Sequence, residues 1–454
     1  MADTNAPLTP ARRVVYSLGT FGSSLLQQTV LLWVFYFYAP PPGQGLPIRV
    51  TPGLLGVALG LGRLVDALAD PLVAHWSDRL RGPAGRRRPF ILIGAPIMAV
   101  AFALIWRPPD PTPTLANFAY VATLLGIFFL IFTLVLNPYT ALLPEVTRAG
   151  RERVSTAAAQ AVFSLAGTAV GYVVSGPLAS RLGFSTMGVA LAPIGGLALM
   201  AAALAVRERP IHEPHLDFAA ALRLVWGYRP FRIFIAGFAL FWLGLSVVQL
   251  ALALFVTVLM GLPRESVGTV LGLSVVASIV ATPVVTAVAH RIGSRRTLLA
   301  AMSLAAVLVP LIGTIGLWPV SLGPAAQGYV LIPLAGPSLA ALFTLPNAIL
   351  ADITQAAARE SGRRVEGMFF AFQGLILNGA TSVSSIILGA VLSLSGYDLG
   401  LRIVPLLATA FVIAGIVAFR RFPQDGSLDD SRRPQPDAVC RSAQPRATAP
   451  RPPE

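Results

Sequence analysis

The sequence predicts an all-α polytopic membrane protein with twelve transmembrane helices in two six-helix pseudo-repeats. Hydrophobic residues make up 55% of the 454 residues, charged residues make up 12%, and the mean hydropathy is +0.72. A soluble domain typically carries about 25% charged residues, so this composition indicates an integral membrane protein. The apolar residues fall into twelve long runs, and segments of the first six runs recur in the last six.

Each of the twelve runs approaches the length of about 20 apolar residues that a helix needs to cross the hydrocarbon core. The first six predicted spans lie near residues 14–38, 52–77, 89–106, 114–140, 154–180 and 186–206. The last six lie near residues 231–260, 266–289, 297–317, 327–350, 368–395 and 399–420. Three small residues of the fifth span, Gly167, Gly171 and Gly176, predict close contact with neighbouring helices.

An internal repeat relates the two halves of the chain. ADPLVAHWSDR (69–79) aligns with ATPVVTAVAHR (281–291), and ALLPEVT (141–147) aligns with AILADIT (348–354). The aligned segments end the second and eighth spans and the fourth and tenth spans. Parallel repeats of this kind are related by an axis along the membrane normal, and a solute site is expected near the midplane between them.

The repeat divides the chain into four parts. Residues 1–206 are predicted to form an N-terminal six-helix half, 207–230 a cytoplasmic central loop and 231–421 a C-terminal six-helix half. Residues 422–454 are rich in Pro, Arg, Asp and Ser, which predicts a disordered cytoplasmic tail.

The basic residues predict the orientation of the spans. All 34 are arginine, and they lie in short clusters between the apolar runs. With a cytoplasmic N-terminus, the cytoplasmic segments hold 28 arginines and the opposite loops hold 5. This asymmetry predicts a multi-pass protein of the plasma (inner) membrane with both termini in the cytoplasm. Because the net charge of +14 follows this topology, it does not indicate a nucleic-acid partner.

Three charged residues interrupt the second span. Arg63, Asp66 and Asp70 are spaced i, i+3, i+7, which places them on one helix face. A charge at the bilayer centre costs about 2.5–3.5 kcal/mol, so these three residues, which we call the stripe, should face the bundle interior. Pairing of Arg63 with one carboxylate leaves one negative charge, which H⁺ or Na⁺ would neutralise. We therefore predict a cation site at Asp66 and Asp70 with Arg63 as charge partner; the alternative is an ion pair that only joins two helices.

Uncharged polar side chains within the predicted spans indicate a polar cavity. Any one of them could instead form a hydrogen bond that holds two helices together. The predicted solute ligands are Ser24, Gln27, Gln28, Asn137, Gln160, Trp242, Gln249, Gln373 and Asn378.

Charged residues at the predicted cytoplasmic helix ends indicate gating latches made of ion pairs. Asp78 is expected to pair with Arg86–Arg88, Glu145 with Arg151–Arg153, and Asp352 with Arg363–Arg364. The alternative is that these residues only set topology and contact lipid headgroups. The predicted latch residues are Asp78, Arg86, Arg87, Arg88, Glu145, Arg153 and Asp352.

The segment RLVDALADPLVAHWSDRLRGPAGRRRPF (63–90) resembles the second-span signature of the glycoside–pentoside–hexuronide:cation symporters, relatives of melibiose permease in the major facilitator superfamily. NPYTALLPEVTRAGRERVS (137–155), YRPF (228–231) and LADITQAAARESGRRVEGMFFAFQG (350–374) resemble further segments of that family. The resemblance implies the major facilitator fold and cation-coupled transport. It also implies that Asp66 and Asp70 are the two cation-site carboxylates of the second span, preceded by the basic residue Arg63.

Four positions depart from the sugar-transporting members of that family. Ser24 stands where those members carry a sugar-holding acidic residue, and Leu136 stands at a second acidic position in the fourth span. Asn378 replaces an intramembrane lysine, and Gln160 replaces an arginine. The resemblance thus implies a cation site that is partly kept and a solute site that has changed.

These observations predict a secondary active transporter and not an enzyme. It would couple symport of a small polar solute, a sugar or glycoside, to H⁺ or Na⁺ by alternating access. Two alternatives are a transporter of lysolipids or other amphiphiles on the same fold and a non-transporting membrane scaffold or sensor. The expected partners are the lipid bilayer and the solute; no nucleic acid, obligate protein partner, metal or cofactor beyond the coupling ion is expected.

Overall fold

The computed structural model describes residues 9–79, 85–147, 151–206, 208, 223, 225–318, 321–361 and 366–422, with backbone alone at 71, 74–79, 144, 151, 154, 361, 366 and 367. The first six helices are α1 (Pro10–Tyr38), α2 (Pro52–Arg79), α3 (Arg88–Ile105), α4 (Leu115–Val146), α5 (Arg151–Arg181) and α6 (Phe184–Ala205). They are followed by α7 (Arg229–Leu254), α8 (Arg264–Ile292) and α9 (Ser294–Gly313).

The last three spans are less regular. We label as α10 the two helical segments Pro324–Leu334 and Gly336–Ser361. The helical stretch Glu366–Phe419 is broken at Gly396, whose φ of 70° and ψ of −177° are not helical. The part before this glycine is α11 and the part after it is α12.

The predicted fold class is confirmed. The secondary structure of the described residues is helical, and ten of its stretches are long and apolar enough to cross a membrane. One of the ten, Met368–Phe419, has 52 residues and supplies two spans because of the break at Gly396. The twelfth span is α1, a helix of 29 residues that contains the polar side chains of Gln27 and Gln28. The chain is thus a multi-pass membrane protein.

Helix ends follow local sequence signals. Thr9 and Thr114 cap α1 and α4, where their hydroxyls accept hydrogen bonds from Arg12 N (3.3 Å) and Asn117 N (3.2 Å). Gly183 separates α5 from α6 with a φ of 84°, a left-handed conformation that favours glycine.

The three glycines of α5 predicted to make close contacts do so. Gly167 lies against the backbone of Phe21 in α1, and a Cβ at Gly171 would lie 3.2 Å from the carbonyl oxygen of Leu25. Gly176 faces α8, where a Cβ would lie 2.9 Å from the carbonyl oxygen of Arg264. These small residues bring α5 close to α1 within the first six helices and to α8 in the last six.

A second close interface joins α2 to α11. A Cβ at Gly56 would lie 2.5 Å from the carbonyl oxygen of Ser385, so the two backbones approach through glycine. We call this interface the α2–α11 seam and define it by four hydrogen bonds. They are Gly53 N to Ser393 Oγ (2.7 Å), Ser385 Oγ to Gly56 O (3.0 Å), Ser382 Oγ to Gly60 O (2.7 Å) and Asn378 Nδ2 to Asp70 Oδ2 (3.2 Å).

The predicted division at 1–206, 207–230, 231–421 and 422–454 stays a prediction, as does the cytoplasmic location of both termini. Most of the central loop and the tail from 423 onward lie outside the described residues.

Candidate functional site

A buried ion pair lies on the inner face of α2. Arg63 Nη1 donates to Asp66 Oδ2 over 3.0 Å, and the two residues are 4% and 3% exposed. The Arg63 guanidinium carbon lies 4.2 Å from the centroid of the Phe129 ring of α4, a cation–π arrangement. Thr133, also in α4, donates its hydroxyl hydrogen to Asp66 Oδ1. Asp66 is therefore compensated by one guanidinium and one hydroxyl, as a buried charge requires.

Asp70 lies one turn further along α2 and has neutral partners. Asn137 Nδ2 donates to Asp70 Oδ1 over 3.1 Å and to the Asp70 carbonyl oxygen over 3.2 Å. Asn378 Nδ2 donates to Asp70 Oδ2 over 3.2 Å. Because the hydrogen bonds described for Asp70 come from uncharged amides, an ionised Asp70 leaves the stripe with one negative charge.

The donors to Asp70 come from both halves of the protein. Asn137 belongs to α4 of the first six helices, and Asn378 belongs to α11 of the last six. Asp70 thus lies where α2, α4 and α11 meet. The expectation that the stripe faces the protein interior agrees with this arrangement, whereas its role in binding a cation stays a proposal.

Polar side chains of α1, α5, α7 and α11 make a second set of contacts, of which the Gln28–Gln249 pair joins the two halves. Gln28 Oε1 of α1 accepts hydrogen bonds from Gln249 Nε2 of α7 over 2.9 Å and from Tyr172 Oη of α5 over 3.2 Å. Trp242 Nε1 of α7 donates to Thr381 Oγ1 of α11 over 3.1 Å. Two of the predicted solute ligands therefore bind each other, and a third binds a side chain that was not predicted.

The other predicted solute ligands are spread over several contacts. The Ser24 hydroxyl is 2.8 Å from that of Ser164, and Gln160 Nε2 donates to Tyr139 Oη over 2.9 Å. Gln27 is half-buried and Gln373 is buried, and neither side chain forms a hydrogen bond to another described residue. The nine residues do not form one cluster, but Asn137 and Asn378 meet at Asp70.

The described hydrogen bonds near the predicted extracellular end also close the two halves on each other. Arg264 Nη2 of α8 donates to the carbonyl oxygen of Gln44 over 2.8 Å. Ser180 Oγ of α5 donates to Glu265 Oε1 over 2.9 Å. Together with the seam bonds at Gly53 and Gly56 near the start of α2, these contacts join the two halves at that end.

At the predicted cytoplasmic end, Glu145 of α4 binds two arginines of the α2–α3 loop. Its Oε1 accepts from Arg87 Nη1 over 2.5 Å and from Arg86 Nη2. Burial raises the pKa of Glu145, and Arg87 and Arg86 oppose that rise. This pairing was not predicted from the sequence, and the expected pairing with Arg151–Arg153 stays a prediction.

The remaining latch residues have mixed outcomes. Arg88 Nε donates to the carbonyl oxygen of Ala203 at the end of α6 over 2.9 Å. The Glu208 carboxylate accepts from the backbone N–H groups of Arg86, Arg87 and Arg88 over 2.5, 2.8 and 2.5 Å. The side chain of Asp78 lies outside the described residues, and the expected pairing of Asp352 stays a prediction.

Sequence reasoning missed Phe129 and Thr133, which complete the surroundings of the ion pair. A signal for them exists in α4, since Phe129, Thr133 and Asn137 are spaced four residues apart and share one face. Tyr172 and Thr381 were also missed, because their partners come from other helices and no spacing along the chain indicates them.

Comparison with known proteins places the whole membrane region in one family. A family model described as "MFS/sugar transport protein" matches residues 15–419. The "Uncharacterized symporter sll1374" of Synechocystis sp. is 23% identical over 85% of this chain and 86% of its own length. The "Isoprimeverose transporter" of Lactiplantibacillus pentosus is 25% identical over 85% of this chain and 81% of its own length.

A further relative carries a different kind of solute by its name. The "Sodium-dependent lysophosphatidylcholine symporter 1" of Mus musculus is 26% identical over 74% of this chain and 70% of its own length. Among solved structures, the nucleoside transporter NupG has a TM-score of 0.65 at 13% identity, covering 90% of this chain and 98% of that chain. That likeness concerns the fold alone.

Proposed function

The chain belongs to the MFS/sugar transport protein family and is a transporter rather than an enzyme, and we propose that it couples uptake of a small polar solute to a cation. The solute class is a sugar or glycoside, and the coupling ion is H⁺ or Na⁺. The observation that carries the proposal is the position of Asp70, a carboxylate held by neutral amides from both halves.

The charges of the α2 stripe explain how one ion could control transport. The Arg63–Asp66 pair is neutral as a unit, so ionised Asp70 is the excess charge. An ionisable residue inside a membrane span is costly to keep and is by default a functional residue. Binding of one monovalent cation at Asp70 would bring the site to neutrality, which makes the charge of the interface depend on ion occupancy.

The choice between the two ions follows from the ligands that Asp70 can recruit. Asn137 and Asn378 can turn their amide oxygens toward a cation, and Asp70 supplies two carboxylate oxygens. Leu136 provides no oxygen at the fourth-span position where the resemblance implies a carboxylate. Because few oxygen ligands can coordinate a cation at Asp70, H⁺ is favoured over Na⁺ as the coupling ion.

A sugar or glycoside is supported by two amides that meet between the halves and by an indole on α7. Gln28, Gln249 and Trp242 lie on α1 and α7 and offer donors and acceptors of the kind that bind hydroxyl groups. Relatives include a "Putative glycoside/cation symporter YagG" of Escherichia coli, 27% identical over 50% of this chain and 50% of its own length.

A lysolipid or similar amphiphile is a second candidate solute. It is supported by the likeness to the mouse lysophosphatidylcholine symporter and by the loss of charged residues at positions 24 and 136. Ser24 and Ser164 hydrogen-bond each other, which leaves fewer polar groups for a sugar.

Uptake into proteoliposomes tests the function and separates the solutes. Purified protein would be given labelled monosaccharides, glycosides or lysophosphatidylcholine under an inward H⁺ gradient, an inward Na⁺ gradient or neither. We expect uphill accumulation of one sugar or glycoside under one gradient, and its loss in Asp70→Asn. Asp398→Asn makes the same chemical change at an exposed carboxylate of α12 and should retain accumulation.

Three outcomes would contradict the proposal in different ways. Uptake that is independent of both the H⁺ and the Na⁺ gradient would contradict the proposed cation coupling. Full accumulation by Asp70→Asn would remove Asp70 as the coupling site. Accumulation of lysophosphatidylcholine and of none of the sugars would replace the solute class by the second candidate.

A further inference from the structure

The α2–α11 seam contains one hydrogen bond that differs in kind from the other three. In those three, the acceptors are the carbonyl oxygens of Gly56 and Gly60 and the hydroxyl of Ser393, which keep the same charge at all accessible pH values. In the fourth, Asn378 donates to the carboxylate of Asp70 over 3.2 Å. Of the four bonds, only this one has an acceptor whose charge can change.

The strength of this bond depends on the charge of Asp70. A hydrogen bond to an ionised carboxylate is roughly twice as strong as one between neutral groups. Neutralisation of Asp70 by H⁺ or Na⁺ therefore weakens the donation from Asn378. Asn137 also donates to Asp70, but it belongs to the same half as α2, so a change in that bond does not act between the halves.

The amide of Asn378 has a partner for either state of Asp70. Its N–H group donates to the ionised carboxylate, and its carbonyl oxygen can accept from a protonated carboxyl or bind Na⁺ after the amide turns over. A cationic side chain at this position would offer no acceptor and would hold Asp70 permanently compensated. The neutral amide leaves the excess charge in place and still contacts it from the opposite half.

We propose that Asn378 is the positioning residue through which the C-terminal half detects the ionic state of Asp70. This inference rests on the proposed cation coupling at Asp70. Ionised Asp70 stabilises the conformation described here, in which the α2–α11 seam is closed. A bound cation weakens the Asn378 bond and shifts the population toward a conformation with the predicted extracellular ends apart.

Spin labels on the two halves measure that shift without a solute. Cys440 is replaced by serine, and cysteines are placed at Leu115 and Leu322, which are 75% and 49% exposed at the predicted extracellular ends of α4 and α10. Double electron–electron resonance in nanodiscs gives the distance distribution at acidic and alkaline pH, with Na⁺ or with N-methylglucamine. In this doubly labelled protein without further substitutions, which we call the background, we expect a second, longer distance between the labels to appear when Asp70 is neutralised.

The variants assign that response to one bond. Asn378→Ala and Asn378→Leu should reduce the shift in the population ratio about fivefold or more, the lower limit of typical coupling between linked sites. Asn378→Gln keeps an amide and should restore part of the response. Ser382→Ala removes a neighbouring bond of the same seam without touching Asp70, and it should keep the ion-dependent shift.

Ion binding is measured separately in the same variants from the dependence of the unfolding temperature on pH and Na⁺. Asn378→Ala keeps the Asp70 carboxylate, so the unfolding temperature should still depend on pH, with a shifted midpoint because one ligand of Asp70 is gone. The change in distance should be lost, a separation that a purely structural role does not give. A distance response in Asn378→Ala equal to that of the background would overturn the inference alone. A full response in Asp70→Asn, or no response of the background to either ion, would overturn the cation coupling as well.

Discussion

Asp70 of α2 and Asn378 of α11 lie 308 residues apart in the chain, yet the amide nitrogen of Asn378 is 3.2 Å from Oδ2 of Asp70. This contact places an excess carboxylate directly on the interface between the two halves. The neighbouring Arg63–Asp66 pair is internally compensated and lies on the same helix. The two carboxylates of one stripe thus have different surroundings, and this difference supports different roles for them.

The first prediction concerns the compensated pair. Arg63→Met leaves Asp66 as a buried carboxylate without its cation, which should lower the free energy of unfolding by about 3–5 kcal/mol. The double variant Arg63→Met/Asp66→Leu removes both charges and should recover most of that loss. Unfolding in detergent micelles measures both. A double variant as unstable as Arg63→Met, or more so, would contradict the pairing.

The second prediction concerns the hydroxyl that supports Asp66. Thr133→Val keeps the shape of the side chain but removes the donor to Asp66 Oδ1, which should lower the free energy of unfolding by about 1.5–3 kcal/mol. Thr133→Ser keeps the hydroxyl and should remain closer to the wild type. The same unfolding assay compares the two, and equal stability of the Val and Ser variants would show that the hydrogen bond contributes nothing.

The third prediction concerns the close approach of α2 and α11. The methyl group of Gly56→Ala would lie 2.5 Å from the carbonyl oxygen of Ser385, so the seam must separate to admit it. We expect lower stability and a longer mean distance between labels at Leu115 and Leu322. Gly126→Ala in α4 is the matched control, because apart from adjacent residues and the backbone of its own helix no atom lies within 4 Å of the added methyl group. It should be neutral or more stable by up to about 1 kcal/mol; equal effects of the two variants would contradict the seam.

The fourth prediction concerns the arginines bound by Glu145. Glu145→Gln removes the charge that Arg86 and Arg87 share at the predicted cytoplasmic end of the first six helices. If these ion pairs stabilise one conformation of the transport cycle, the variant should change the maximal transport rate and leave the apparent solute affinity nearly unchanged. Initial uptake rates over a range of solute concentrations separate the two quantities. An unchanged maximal rate, or a change confined to the apparent solute affinity, would contradict a gating role for these ion pairs.

Much of the fold could be predicted from the sequence because the length of the hydrophobic runs is a local signal. Each predicted span overlaps a helix, and the boundary between the last two spans coincides with the break at Gly396. The spacing of Arg63, Asp66 and Asp70 was sufficient to place them on one face. The three glycines of α5 were predicted to make close contacts, which small residues permit in any membrane helix.

The partners of these residues could not be predicted, because each depends on how separate helices pack. No spacing along the chain brings Asn378 to Asp70 or Gln249 to Gln28. Glu145 was expected to pair with arginines close to it in sequence, whereas Arg86 and Arg87 reach it from the loop before α3. Sequence alone identified the charged residues and left open which of them remains uncompensated.

The most direct measurement of the central claim is the charge that enters the protein when a cation is offered without solute. Proteoliposomes adsorbed on a solid-supported membrane would be exposed to a step in pH or in Na⁺ concentration. We expect a transient binding current for the wild type and for Asp398→Asn, and its loss in Asp70→Asn. A current of wild-type size in Asp70→Asn would contradict the account, because the cation would then bind elsewhere.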